Sequence, residues 1–191
     1  MFKKIILAAL MVAGISFAQL DYGIHGAANM STFYGDDVGD AATGVGFSAG
    51  LAAKFAIPMV AIVPEVLIDM RNMSREYGNY ETTLTEWALE IPVMVRVSVL
   101  PILFLEAGPT FAFNLSVSEE DSDGNEIEYD DDAFNTFEFG VAFGLGTGII
   151  PFLDIDFRVN MGITNWMADP KIGEAPDASN LQFALGATYW F

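Results

Sequence analysis

Eight segments of alternating apolar and polar residues, joined by links that are short and long in strict turn, predict an all-β protein. The expected architecture is an eight-stranded antiparallel transmembrane β-barrel of the outer-membrane type, with short periplasmic turns and four longer external loops. A third observation orients the sheet: the apolar face is too bulky for the inside of such a barrel, and the other face is rich in Gly and Ala.

The chain opens with "MFKKIILAALMVAGISFAQL". Lys3 and Lys4 precede a short apolar run, Ile5 to Phe17, and Ser16 and Ala18 are small residues at the spacing a signal peptidase reads. We expect residues 1–18 to be a signal peptide and residues 19–191 to be the barrel domain. An anchor helix is the rival reading, but the apolar run falls short of the roughly 20 residues that span a bilayer.

Lys3 and Lys4 are two of only eight basic residues, against 26 acidic ones, and the formal net charge is −18. That balance excludes a nucleic-acid partner, which needs a basic face. Hydrophobic residues nevertheless make up 52% of the chain, too many for a disordered segment. There is no cysteine, so neither a disulfide framework nor a thiolate metal site is available.

The strands are expected at 20–32, 43–56, 60–73, 81–98, 102–117, 134–149, 152–166 and 179–191. Each is at least as long as the roughly 9–11 residues that cross a bilayer as a tilted strand. Three links are tight and contain proline: "FAIPMV" at Pro58, "VLPIL" at Pro101 and "IIPFL" at Pro151. The other four are longer and polar: "FYGDDVGDAA", "NMSREYGNYE", "VSEEDSDGNEIEYDDDA" and "ADPKIGEAPDA". With the tight turns on one side, both termini are expected in the periplasm and the long loops outside.

Parity divides each strand. In "FLDIDFRVN", Leu153, Ile155, Phe157 and Val159 share one face, while Asp154, Asp156 and Arg158 share the other. A lipocalin-like barrel would turn the apolar face inward. The interior of an eight-stranded barrel holds little more than one layer of side chains. The large apolar residues would overfill it, so they are expected to meet lipid while the charged face lines the lumen. Aromatic girdles are expected where rings meet headgroups. Tyr22, Phe55, Phe152, Tyr189 and Phe191 are placed at the periplasmic rim, and Phe33, Tyr34 and Trp166 at the outer rim.

The segments "LEIPVMVRV", "FLEAGPTFAFNL", "FEFGVAFGLGTGI" and "FLDIDFRVNMGITNW" resemble the outer-membrane β-barrel domain family labelled "porin family" or PorT-like. More loosely they resemble the small barrels OmpX and OmpA. The terminal "ATYWF" is similar to the C-terminal strand signal read by the barrel-assembly machinery. The resemblance covers residue 20 to the end and implies the outer membrane of a Gram-negative-type bacterium, a monomer, and membrane lipid and the assembly machinery as partners. It implies no catalytic site, and the label "porin" is not itself evidence of a pore.

The lumen charges expected from parity are the acids Glu65, Asp69, Glu86, Glu90, Glu106, Glu138, Asp154 and Asp156 and the bases Lys54, Arg71, Arg96 and Arg158. Arg96 and Glu106 should face each other across the turn at Pro101. Two readings stay open: a salt-bridged plug, or a narrow cation-selective path lined by surplus carboxylates. His25, the sole histidine, should point inward without a nucleophile beside it, so no enzyme is expected. The third long loop carries nine acids between Glu119 and Asp132. Glu119, Asp121, Asp123 and Asp130 approach the spacing of a calcium loop, with Gly124 at the sixth position, but the bidentate terminal Glu is missing. A solvated hairpin tip is the alternative to weak Ca²⁺ binding or a bridge to lipopolysaccharide. No other cofactor is expected. For function, a structural or surface-interaction role through the loops leads. A narrow ion or small-solute channel follows, then an accessory part in a secretion or assembly system.

Overall fold

The computed structural model describes residues 19–35, 41–77, 80–121, 126–127, 135–164 and 179–191. Eight long strands make the wall: β1 Gln19–Tyr34, β2 Ala41–Ile57, β3 Val60–Tyr77, β4 Tyr80–Leu100, β5 Leu103–Asp121, β6 Phe137–Ile150, β7 Leu153–Gly162 and β8 Ser179–Trp190. Each pairs antiparallel with its chain neighbour, and β8 pairs with β1, so the sheet closes without a free edge. Glu126–Ile127 adds a two-residue extension beside the far end of β5. No helix among the described residues is long and apolar enough to cross a membrane; the spanning elements are strands.

The wall is uneven. β3, β4 and β5 run 18, 21 and 19 residues, whereas β6, β7 and β8 run 14, 10 and 12. The sequence expectation matched the strands' centres and missed their loop ends: β3 and β5 continue further, to Tyr77 and Asp121, and β7 stops at Gly162. There the backbone turns away, with the N–H groups of Ile163 and Thr164 both donating to Phe139 O.

Two prolines interrupt the ladder of the tall side. Pro92 and Pro109 have no N–H to donate, and the paired register skips Glu65 and Val66 opposite Ile91 and Pro92, then Val93 and Met94 opposite Gly108 and Pro109. At the tight end, the β2–β3 turn is Pro58–Met59, with Met59 at φ 70°. Proline presets the first turn position, but the second demands a left-handed backbone that a residue with a Cβ adopts at a cost.

The faces sort as parity requires. Ile24, Leu51, Val66, Leu105, Leu145, Phe157 and Leu185 are exposed. His25, Glu65, Asp69, Glu86, Glu106 and Arg158 are buried. Such an inversion is unfavourable in water and matches a wall whose outside is hydrocarbon. The rim aromatics of the tight end behave as expected: Tyr22, Phe55, Phe152, Tyr189 and Phe191 face outward, and the Phe152, Tyr189 and Phe191 rings form a contiguous row. At the loop end, Tyr34 faces outward and its hydroxyl donates to Gly162 O. Phe33 corrects the girdle reading. It shares the parity of His25 and Asn29, points inward and is only 5% exposed. Trp166 lies outside the described residues.

Candidate functional site

The lumen is built from unequal walls. On β2 the inward positions are Gly44, Gly46, Ser48, Gly50 and Ala52, and on β6 Gly140, Gly144 and Gly146. These small residues leave the room that long charged side chains on β3, β4, β5 and β7 fill. A Cβ at Gly146 would sit 2.3 Å from the Phe104 ring, and one at Gly186 2.7 Å from the His25 ring.

Near the turn end the charges form a chain. Arg158 donates through Nη1 and Nη2 to both oxygens of Glu65, at 2.6 and 2.7 Å, and through Nε to Glu106 at 2.6 Å. Arg96 donates to the other Glu106 oxygen at 2.7 Å and to Asp154 at 2.8 Å. Asp154 also accepts from the Trp190 indole N–H at 2.8 Å. Asp156 Oδ1 lies 2.9 Å from Arg158 Nε, yet that N–H is directed to Glu106, and neither Asp156 oxygen takes a hydrogen bond. Lys54 closes the end. Its ammonium sits 3.6 Å from Asp21 and 4.1 Å from the Trp190 ring centre. The Phe104 ring lies 4.5 Å from the Arg96 guanidinium carbon.

Nearer the loops, Arg71 reaches four acids. Arg71 lies 2.6 Å from Asp69, 3.2 Å from Glu86, 3.6 Å from Glu138 and 3.9 Å from Glu90. Neutral donors supplement it. Asp69 accepts from Asn29 at 2.8 Å and Gln182 at 3.0 Å, and Glu138 accepts from Asn114 at 2.8 Å. Above this layer Phe33, Met73 and Leu84 turn apolar side chains inward, and all three are buried.

All twelve charges expected in the lumen therefore lie on its inner face. The Arg96–Glu106 pairing across Pro101 holds in both register and contact. His25 is buried with Nδ1 2.9 Å from Thr188 Oγ1. Residues not singled out from sequence include Asp21, Asn29 and the inward aromatics Phe104 and Trp190, while Asn114, Asn160 and Gln182 lie on the inward face that parity assigned them. Parity carried the signal for each. Of the suggested calcium loop, Asp123 and Asp130 lie outside the described residues, as do the side chains of Glu119 and Asp121. Among the described residues, no three acidic or histidine side chains converge as a metal cluster.

A closed eight-stranded wall, apolar outside and charged inside, defines a small transmembrane barrel. Residues 17–167 match the model of the outer membrane protein beta-barrel domain, and the chain belongs to that family. Two solved barrels are similar in fold. Neisserial surface protein A is 12% identical with a TM-score of 0.56, over 89% of this chain and 97% of that one. Ail, the attachment invasion locus protein of Yersinia pestis, crystallised with the heparin analogue sucrose octasulfate, is 13% identical with a TM-score of 0.51, over 91% and 99%. No curated protein matches by sequence. The protein is thus a small bacterial outer-membrane barrel.

Proposed function

We propose that this is a non-conducting outer-membrane barrel whose lumen is a structural plug and whose external loops make its contacts. The single observation that carries this is the packing of the lumen. Among the described residues, two voids between the ion-paired layers measure about 20 and 10 Å³, and the larger has room for about one water molecule. A cavity of about 250 Å³ lies at the turn end, walled by Lys54, Arg96 and Asp154. A hydrated ion passing through would have to part Arg158 from Glu65 and Glu106, each held at 2.6 Å. In this reading residues 1–18 direct export and are removed, both termini face the periplasm, and the barrel is monomeric.

The loops favour a cationic partner. Nine acids in the third loop repel a polyanion, so the sulfated ligand of the Ail complex is not a guide to this chain's ligand. The test is single-channel conductance of the folded barrel in a planar bilayer. Silence, with folding confirmed by its shifted band on unheated gels, is the expected result. A steady cation-selective current would replace the plug with the channel reading, which the surplus lumen carboxylates favour.

A further inference from the structure

We propose that the loop-side half of the lumen holds one dehydrated Ca²⁺, bound between Glu90, Glu138 and the side-chain oxygens of Asn160 and Asn180. The void of about 20 Å³ is lined by these four residues together with Arg71 and Thr110. Glu90 and Glu138 are the two carboxylates that Arg71 holds least closely, at 3.9 and 3.6 Å. The acids alone would not make a site. The independent observation is Asn180, only 5% exposed, whose Oδ1 and Nδ2 both lack a hydrogen-bond partner. A buried amide left so is costly unless something occupies the space beside it.

A chain of hydrogen bonds orients the second amide. Asp69 can only accept, so Gln182 turns its NH₂ toward it, at 3.0 Å. Gln182 Oε1 then receives the Asn160 NH₂ at 2.7 Å. The Asn160 oxygen is left over, and it has no partner. The atoms free to ligate are therefore the carboxylate oxygens and the two amide oxygens, the set that hard cations select, while Asn180 Nδ2 turns away. Charge and size narrow the choice. Among the described residues Arg71 is shared by Asp69, Glu90 and Glu138, so a divalent ion balances more of their excess than a monovalent one. The void admits an ion without its water shell. Mg²⁺ dehydrates reluctantly, whereas Ca²⁺ accepts irregular carboxylate and amide oxygens. Buried Phe33, Met73 and Leu84 flank the site on the loop side and the Arg158 chain flanks it on the turn side, which slows exchange of the ion.

The test is elemental analysis of the full barrel refolded with Ca²⁺ and then freed of loose ions by gel filtration in chelator. Near one Ca²⁺ per chain is expected, and the same from a barrel whose third-loop acids are changed to Asn and Gln. Glu90→Gln and Asn180→Leu should each lower retention at least tenfold while the folded gel band persists. No retained Ca²⁺ in the wild-type barrel would overturn the proposal, as would retention that survives Glu90→Gln but vanishes with the loop acids. Because the reading is stoichiometry and not current, a conducting barrel could still pass it, and a silent one could fail.

Discussion

The two halves of the lumen are made from the same residue types yet wired differently. Near the turns, Arg158 and Arg96 share Glu106 and take Glu65 and Asp154 between them, in contacts of 2.6–2.8 Å. Near the loops, Arg71 faces four carboxylates at distances that stretch to 3.9 Å. The first half is a bonded chain in which every link has a charged mate. The second is a surplus held by neutral amides. A carboxylate's role in this barrel thus depends on how much of a guanidinium it receives, and sequence position alone does not reveal that.

The contrast is broken most severely at Arg158. Arg158→Met strands Glu65 and removes half the contacts of Glu106, and should cost roughly 3–5 kcal/mol in the urea unfolding midpoint of the vesicle-inserted barrel. Glu65→Gln exchanges two charge-assisted hydrogen bonds for at most one and should cost about 1.5–3 kcal/mol by the same assay. Gly146→Ala probes the small wall and should cost roughly 1–3 kcal/mol through the Phe104 clash. Adding Phe104→Leu should recover part of that loss in a double-mutant cycle. The sharpest comparison with Glu65 is Glu90→Gln in chelator. Removing a charge from the surplus half should leave the midpoint unchanged within about 1 kcal/mol, or raise it. Outside the lumen, Met59→Gly relieves the left-handed turn and should stabilise by about 1 kcal/mol or less.

Much of this was legible in the sequence because parity is a local property. Alternation over ten or more residues located every strand and sent each charge to the correct face. Arg96 and Glu106 could be paired because only a tight turn separates them. Arg158 and Glu65 could not, since they meet across the lumen at a separation of 93 residues, which depends on how the closed sheet is sheared. Phe33 was misplaced because an aromatic near a strand end fits a girdle by composition, and its parity with His25 was outweighed. Trp190 was read only as part of a terminal signal. Its even position, shared with Gln182 and Thr188, already put it inside.

That inward Trp190 has a kinetic consequence. It lies on the strand that joins the first, with Gly23 opposite, so it reaches Lys54 on β2 only when the two ends of the chain have met. Closing that seam is the most non-local event in the molecule and belongs late in folding. The contact of Trp190 with Lys54 is therefore absent while the barrel is still open. Interactions made after the rate-limiting barrier act as a latch: they scarcely change how fast the protein forms, but they set how slowly it comes apart.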